Sequence, residues 1–392
     1  MMDYDRVLSQ RATSLAPSGI RKFFDVVAEM PDAISLGVGE PDFDTPWHIR
    51  EAGIYSLEQG RTFYTSNAGM PALKAEISNY YLRKHGLTYL PKTETFVTVG
   101  GSEAIDMAMR AMLDPGDQVI IPEPCYVSYV PCAVMTGAEV VTIPLQEKNE
   151  FKLTAEELLA AVTDKTKLLV LAFPNNPTGA IMTKEDLEPI AKICIEKDIY
   201  VISDEIYAEL TYSGKHVTIA EFPGMQERTV VINGFSKAYA MTGWRLGFAA
   251  GPETIISQMV KLHQFAIMCA PTTSQYAGLE ALRSGDADIE MMRESYNQRR
   301  RYVVNALNQM GLHCFEPFGA FYVFPSIQSL NMSSEDFANK LLAAEKLAVV
   351  PGTAFGSCGE GFIRISYAYS LEELKEALNR IQHFIQTLEN EA

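Results

Sequence analysis

The sequence predicts an α/β protein with a large domain, built on a mainly parallel seven-stranded sheet covered by helices, and a smaller α+β domain contributed by both chain ends. Short apolar strands alternate with helical segments between about residues 95 and 250, as in parallel sheets whose crossovers are helices. This alternation stops near residue 285. A chain of 392 residues is also too long for one hydrophobic core, so two domains are expected.

The predicted boundaries follow this change of pattern. Residues 1–45 are expected to form an N-terminal arm and part of the small domain. Residues 46–285 form the large, ligand-binding domain, and residues 286–392 form the small C-terminal domain.

Seven short runs rich in β-branched residues are predicted to be the strands of the large sheet, near residues 95–99, 118–121, 139–143, 168–173, 199–203, 229–233 and 246–250. Amphipathic spacing predicts helices near 71–84, 103–113, 126–136, 155–162 and 184–196. In the small domain it predicts helices at 287–310, 334–345 and 370–388, and strands at 313–316, 320–325 and 362–367. Ligands of parallel sheets bind beyond the carboxyl ends of the strands, so polar residues there are the candidates for function.

Charge and composition exclude several classes of protein. The formal net charge is −16, which argues against nucleic acid and anionic membrane as partners. No apolar run approaches the roughly 18 residues of a membrane span, and the first residues lack the pattern of a signal peptide, so a cytoplasmic protein is expected. The six cysteines and six histidines are scattered without metal-binding spacing, so no metal site is predicted.

Lys237 is the first candidate for chemistry. It follows the apolar run 229–232 and is expected at the carboxyl end of a buried strand. Loss of water and the nearby Arg245 would both favour the neutral amine, the form that attacks a carbonyl carbon. Lys237 is therefore a candidate Schiff-base lysine, although a surface lysine on a loop has the same local sequence. Arg245, beside Gly243 and Trp244, needs an anion, and a phosphate is a natural bidentate partner.

Other strand ends carry polar residues in keeping with a ligand site. Gly101 and Ser102 open a helix whose free N–H groups suit a phosphate, unless Ser102 is only an N-cap. Asn176 lies among turn residues, with its amide free for a ligand or used in an Asx-turn. Asp204 ends an apolar run, so its carboxylate is expected to be partly buried and paired with a cation.

Two positions outside these strand ends point to a ligand as well. Arg364 alternates with apolar neighbours, so its charge faces one side of a strand and requires an anion, either a ligand or an internal carboxylate. Gly39 allows main chain to approach a ligand closely, or it forms an ordinary turn.

Together these residues match the needs of one cofactor, pyridoxal 5'-phosphate. It has a phosphate for the helix N-terminus and arginine, and a pyridine nitrogen that a carboxylate keeps protonated. Its phenolic oxygen suits a tyrosine such as Tyr207 and an asparagine, and its aldehyde forms an imine with a lysine.

Through these motifs the chain resembles the class I and II aminotransferases, the fold-type-I pyridoxal phosphate enzymes. The motifs occur in order along nearly the whole chain: Gly39-Glu40-Pro41-Asp42-Phe43, Tyr64, Gly101-Ser102, Asn176-Pro177-Thr178-Gly179, Asp204-Glu205-Ile206-Tyr207, Ser236-Lys237, Gly243-Trp244-Arg245 and Arg364-Ile365-Ser366.

The resemblance implies a role for each matching residue. Lys237 would bind the cofactor aldehyde and move the substrate proton, Asp204 would pair with the pyridinium nitrogen, and Tyr207 and Asn176 would hydrogen-bond the phenolic oxygen. Tyr126 matches the aromatic residue that stacks on the ring. The phosphate would be held by Gly101, Ser102 and Glu103, largely through backbone N–H groups, and by Ser236 and Arg245.

The resemblance also implies how substrate and a second subunit are bound. Arg364 would bind the substrate α-carboxylate, helped by Gly39 and Asn176. Tyr64 matches a tyrosine that reaches the phosphate of the neighbouring subunit, which implies a homodimer.

The activity implied is a ping-pong transfer of an amino group from an L-amino acid to a 2-oxo acid. The chain is similar to the branch that contains aromatic amino acid, aspartate and N-acetyl-diaminopimelate aminotransferases, and residues 18–23 resemble the mobile arm of that branch. We expect an aromatic donor with glutamate and 2-oxoglutarate as the second pair, and we hypothesise that Ile20 and Tyr64 form an apolar wall. The alternatives are an aspartate, alanine or N-acetyl-diaminopimelate aminotransferase and a β-eliminating lyase with the same cofactor residues. A transcription regulator with an aminotransferase-like sensor domain would need an added DNA-binding module, for which the few residues before the core leave no room.

Overall fold

The computed structural model describes residues 6–17, 30 and 32–391. Its strands, in chain order, are β1 (Ile34–Ser35), β2 (Thr95–Thr98), β3 (Gln118–Glu123), β4 (Glu139–Pro144), β5 (Thr166–Ala172), β6 (Tyr200–Asp204), β7 (Thr229–Gly234), β8 (Gly247–Ala250), β9 (Tyr322–Val323), β10 (Leu347–Ala348), β11 (Val350–Pro351) and β12 (Ile363–Ser366). Its α-helices are α1 (Gln10–Thr13), α2 (Trp47–Glu58), α3 (Pro71–His85), α4 (Gly100–Met112), α5 (Tyr129–Thr136), α6 (Ala155–Ala161), α7 (Lys184–Glu196), α8 (Glu253–Ala266), α9 (Thr272–Ser284), α10 (Asp286–Gln309), α11 (Ser334–Glu345) and α12 (Leu371–Glu391).

The large sheet has seven strands in the order β2-β8-β7-β6-β5-β3-β4. The strands β4, β3, β5, β6 and β7 pair in parallel, and β8 is antiparallel to both β7 and β2. All seven predicted strands are present within a few residues of their expected bounds. The predicted fold class, a mainly parallel sheet covered by helices, is therefore confirmed.

Helices cover both faces of this sheet because its strands are apolar on both faces. On one face, Val170 and Ile202 pack against α4 and α8. On the other, Leu169 and Val201 pack against α6 and α7, next to the cluster formed by α3, α9 and Phe248. Within the residues that the structure describes, no helix combines the length and the apolar composition needed to cross a membrane.

A smaller α+β unit lies beside the large sheet. Strands β11, β12 and β9 form an antiparallel sheet, and its core includes residues of α10, α11 and α12. Strand β1 pairs in parallel with β10, with Ile34 opposite Leu347. Residues from the N-terminal part of the chain therefore join the C-terminal unit, as expected. The exact boundaries near residues 45 and 285 stay predictions.

One predicted strand of this unit is wrong, and another is shorter than expected. Residues 313–316 do not form a strand, because the N–H of Cys314 is taken by the side chain of Asn308 at 3.0 Å. The strand expected at 320–325 is reduced to β9, and Pro325 has no N–H to extend its pairing.

The edge formed by the carboxyl ends of β5, β6 and β7 is closed on one side by the start of α4. Gly247, the first residue of β8, allows the main chain at the start of α4 to approach β8 closely. A Cβ at this position would lie 2.5 Å from the carbonyl carbon of Gly100 and 2.6 Å from the nitrogen of Gly101. The absence of a side chain at Gly247 thus fixes where α4 begins.

We expect Gly247→Ala to lower the free energy of unfolding by about 1–3 kcal/mol, because main chain rather than a flexible side chain would have to move. Urea unfolding of the purified protein measures this. Gly243→Ala is the matched control, since its Cβ would meet nothing within 4 Å. Equal stability of the two variants would contradict the close-packing argument.

Candidate active site

A cavity of about 640 Å³ opens where the polar residues after β5, β6 and β7 meet. Most of the residues singled out from the sequence line it: Gly39, Gly101, Ser102, Tyr126, Asn176, Asp204, Tyr207, Ser236, Lys237, Arg245 and Arg364. The fold therefore brings together side chains that are up to 325 positions apart in the sequence, from residue 39 to residue 364.

Lys237 lies three residues after the end of β7, and its amine points into the cavity. Nζ donates a hydrogen bond to the carbonyl oxygen of Gly39 at 2.5 Å and lies 5.7 Å from the centre of the Phe321 ring. Burial lowers the pKa of Lys237 to about 8; the charge of Glu40 opposes this shift, and those of Arg364 and Arg245 add to it. A substantial fraction of the amine is therefore neutral near physiological pH.

Asp204 ends β6 and is 6% exposed. Its carboxylate accepts hydrogen bonds from the Tyr129 hydroxyl at 2.7 Å and from the Ile206 N–H at 3.1 Å. Burial raises the pKa of Asp204 to about 6, and the two hydrogen bonds oppose the rise. The donors are neutral, which differs from the cationic partner expected from the sequence. The carboxylate thus remains able to pair with a positive group in the cavity.

Tyr207 lies just beyond Asp204, and its hydroxyl shares a hydrogen bond of 2.8 Å with the hydroxyl of Tyr322. The Tyr322 hydroxyl also lies so close to Gly39 that a Cβ there would be 2.2 Å from it. Two phenol groups therefore stand side by side on the cavity wall. Burial raises the pKa of Tyr207 well above its ordinary value, so this hydroxyl stays protonated and can donate a hydrogen bond.

Arg364 is a buried cation whose partners are all neutral within the part of the chain that the structure describes. Its Nη1 donates to Asn176 Oδ1 at 2.9 Å, and its Nη2 donates to the carbonyl oxygen of Gly37. The guanidinium lies between two rings, 4.6 Å from the centre of Tyr322 and 4.7 Å from that of Phe355. Its Nε has no hydrogen-bond partner within the described residues. A buried charge in such surroundings requires an anion from outside the protein.

The opposite end of the cavity is built to hold a second anion. The main chain at the start of α4 exposes unsatisfied N–H groups, and Ser102 and Ser236 line the cavity beside it. Arg245 lies against this helix start, because a Cβ on Gly100 would be 2.5 Å from its Nη2. Arg245 precedes β8 in a left-handed conformation with φ 50°, and its side chain is exposed. The sequence predicts instead that Arg245 enters the buried strand. Its guanidinium is therefore accessible to a ligand.

Two predicted residues are not part of this wall, and the structure does not describe a third. The carboxylate of Glu103 turns away from the cavity, towards Val99 and His263. The side chain of Tyr64 is 81% exposed and lies outside the cavity. Ile20 lies outside the residues that the structure describes, as does the whole segment 18–23 to which it belongs.

Sequence reasoning missed three residues that contact the predicted ones: Tyr129, Tyr322 and Phe355. Tyr129 and Tyr322 have no local signal, because only the tertiary fold brings their hydroxyls to Asp204 and Tyr207.

Comparison with known proteins agrees with this geometry. The family model for aminotransferase class I and II matches residues 31–381. A putative aminotransferase of Bacillus subtilis is 54% identical over 96% of this chain and 98% of its own length. The aspartate aminotransferase of Pyrococcus abyssi is 46% identical over 96% of this chain and 97% of its own length.

A solved structure shares the fold as well as the sequence. The aromatic aminotransferase of Pyrococcus horikoshii is 44% identical, with a TM-score of 0.89 over 93% of this chain and 99% of its own. These relatives are matched over nearly their full length, and the family match spans the sheet, the cavity and the smaller unit. The chain therefore belongs to the class I and II aminotransferases.

Proposed function

We propose that this chain is a pyridoxal 5'-phosphate-dependent aminotransferase that takes the amino group of an aromatic L-amino acid and uses 2-oxoglutarate as acceptor. The observation that carries this proposal is the pairing of two groups in one cavity. Arg364 is a buried cation to which the described residues offer no anion, and Lys237 is an amine of lowered pKa. An α-amino acid brings a carboxylate for the first and a reacting carbon for the second.

The residues present fit the cofactor at each of its functional groups. The start of α4, Ser236 and Arg245 offer donors and charge for the phosphate. Asp204 has neutral donors only, which leaves its carboxylate for the ring nitrogen. Tyr207 and Asn176 offer hydrogen bonds for the phenolic oxygen. When bound, pyridoxal phosphate supplies an aldehyde that joins to amines and a ring that withdraws electrons from the substrate α-carbon.

The chain's own residues then position the substrate and move a proton. Arg364, held flat between two rings, binds the α-carboxylate bidentately and so fixes the orientation of the α-carbon. Lys237 Nζ accepts the α-proton as its neutral amine and returns it as an ammonium. Asp204 would keep a proton at the ring nitrogen. Its burial and its two hydrogen bonds hold the Asp204 carboxylate in a fixed direction.

The aromatic preference is supported by the charges of the described cavity wall. Its cations are Lys237, Arg245 and Arg364, and each has a role that does not involve the substrate side chain. Within the described residues, no further cation lines the wall to meet a side-chain carboxylate. Tyr126 and Tyr322 offer aromatic surface instead.

Half-reactions test this proposal. The enzyme loaded with pyridoxal phosphate is mixed with L-phenylalanine, L-tyrosine or L-aspartate and no oxo acid. We expect one equivalent of 2-oxo acid per active site, with kcat/KM for the aromatic substrates about tenfold above that for aspartate. Faster turnover of aspartate would refute the aromatic preference alone. Continuous release of ammonia from an amino acid with a leaving group on its β-carbon, such as β-chloro-L-alanine, would indicate a β-eliminating lyase instead.

A pH titration tests the role of Lys237. Covalent incorporation of pyridoxal phosphate into the apoprotein, trapped by borohydride, should accelerate as pH rises through about 8, where the ammonium loses its proton. The sign follows from burial, which disfavours the charged form. A midpoint near the ordinary value of 10.5 would contradict the lowered pKa. Lys237→Ala should incorporate no cofactor at this site and turn over no substrate.

We also infer that the protein works as a homodimer. Phe63, Tyr64, Phe265 and Met268 form an exposed hydrophobic patch on two neighbouring segments, residues 63–67 and 265–272. Two hydrogen bonds join its loops, from Asn67 Nδ2 to the carbonyl oxygen of Met268 at 2.8 Å and from Thr272 Oγ1 to that of Phe63 at 2.7 Å. Large exposed aromatic groups on ordered loops are typical of protein interfaces. A second copy covering this patch would bring Tyr64 to its partner's cavity.

Phe265→Glu should therefore weaken dimerisation by about 30-fold or more, the effect of losing one aromatic anchor. Sedimentation velocity over a range of concentrations measures the dissociation constant. Leu159→Glu is the matched control, because Leu159 is exposed on α6, on a different part of the surface. A monomeric parent protein, or equal effects of both changes, would contradict the proposed interface.

A further inference from the structure

Two buried phenol groups meet on the cavity wall, and the proposed mechanism uses the hydroxyl of only one of them. The hydroxyl oxygens of Tyr207 and Tyr322 lie 2.8 Å apart. The two residues are 5% and 1% exposed. Within the described residues, neither hydroxyl has another hydrogen-bond partner. A phenol donates one hydrogen bond, so one proton of the pair is used in this contact and the other stays free.

The position of the Tyr322 hydroxyl is fixed by the small antiparallel sheet and by a glycine. Tyr322 lies in β9 opposite Ser366 of β12, and Arg364 lies two residues before Ser366, on the same face of that strand. The guanidinium of Arg364 accordingly lies 4.6 Å from the centre of the Tyr322 ring. A Cβ on Gly39 would overlap the Tyr322 hydroxyl, so the absence of a side chain there leaves room for it.

The charge of Arg364 decides which phenol donates. A cation close to a phenol stabilises the negative charge that builds up on its oxygen when it donates a hydrogen bond, so it makes the phenol a better donor. Burial raises the pKa of Tyr322, and the Arg364 charge is the largest opposing cause. Burial raises the pKa of Tyr207 well above its ordinary value, and the neighbouring Tyr322 adds to this rise. Tyr322 is therefore the donor and Tyr207 the acceptor.

This direction leaves the proton of Tyr207 available to a ligand. Tyr207 lines the cavity, and its own proton cannot point along the bond in which its oxygen accepts. A hydroxyl that accepts a hydrogen bond is polarised and becomes a stronger donor itself. With the reverse direction, the Tyr207 proton would be used within the protein, and a ligand would have to displace it.

We propose that Tyr322 is a positioning residue, which donates to Tyr207 and thereby directs and strengthens the hydrogen bond that Tyr207 gives to the phenolic oxygen of pyridoxal phosphate. Tyr322 acts on the phenolic oxygen only through Tyr207. The inference rests on the proposed cofactor site, and it assigns a role to a hydroxyl that the mechanism does not otherwise use.

A spectral titration of the protein loaded with pyridoxal phosphate tests this proposal without substrate. The visible absorption of the bound cofactor reports protonation of the nitrogen that joins it to Lys237. A hydrogen bond from Tyr207 draws negative charge away from the phenolic oxygen, which then holds the proton on that nitrogen less well. Because Tyr322→Phe weakens this hydrogen bond, we expect the midpoint of the titration to rise by about half a pH unit.

A double variant separates action through Tyr207 from an independent effect. Tyr207→Phe should raise the midpoint by about one pH unit, because the whole hydrogen bond to a charged oxygen is lost. Adding Tyr322→Phe to Tyr207→Phe should then change nothing further. Tyr367→Phe is the matched control and should keep the parent midpoint. It also removes a buried hydroxyl, one that donates to the carbonyl oxygen of Ala320 at 3.1 Å in the core of the smaller unit.

Other outcomes overturn the proposal in distinguishable ways. A lower midpoint in Tyr322→Phe would show that Tyr207 donates to Tyr322 in the parent, and an unchanged midpoint would show that Tyr322 has no effect on the cofactor. Additive shifts in the double variant, or an equal shift in Tyr367→Phe, would indicate an effect that does not pass through Tyr207. If Tyr322→Phe is not folded by thermal melting, Tyr322→Met decides, since it lacks the hydroxyl as well. Failure of the parent protein to bind pyridoxal phosphate would refute the proposed cofactor site itself.

Discussion

The parallel pairing of β5, β6 and β7 is the constraint on which the rest of the molecule depends. In this register Ala172 lies opposite Asp204, and Asp204 lies opposite Ile232, so the three strands end at nearly the same level. Whatever follows each strand must then meet at one edge. The asparagine, the carboxylate and the lysine of the site are neighbours for this reason, and Gly247 sets the distance from this edge to the start of α4.

Burial of charge gives this edge its chemical character. Taking Lys237 and Asp204 out of water moves their pKa values towards each other, to about 8 and about 6. Among the residues described by the structure, Arg364 has only neutral acceptors and aromatic faces around it. Each of these groups would be stabilised by a partner of opposite charge, and the hydrogen bonds of the described residues supply none. Ligands that carry the missing charges would therefore bind favourably. The folded chain without such ligands is less stable than it would be with these charges paired.

The sequence contained the fold class and most of the cavity wall, because both depend on local patterns. Strand and helix periodicity located the large sheet, and polar residues directly after apolar runs located Asn176, Asp204 and Lys237. Contacts between distant segments could not be predicted this way. The Tyr207–Tyr322 pair, the Tyr129 donor and the rings around Arg364 join residues without any shared motif. The strand expected at 313–316 failed because a side chain, that of Asn308, took the N–H that pairing would have needed.

The surroundings of Arg364 would separate recognition of the α-carboxylate, which all amino acid substrates share, from recognition of the side chain, which differs between them. Two of its partners are a main-chain carbonyl and an amide, and two are ring faces, so the recognition of an α-carboxylate that we propose for Arg364 would use none of the cavity's other charged side chains. Substitutions on the remaining wall can accordingly change which side chain is accepted without disturbing the part that every amino acid shares. With such a division, a single substitution on the remaining wall could change the substrate preference. This agrees with a family whose members are named for amino acids as unlike as aspartate and the aromatic ones.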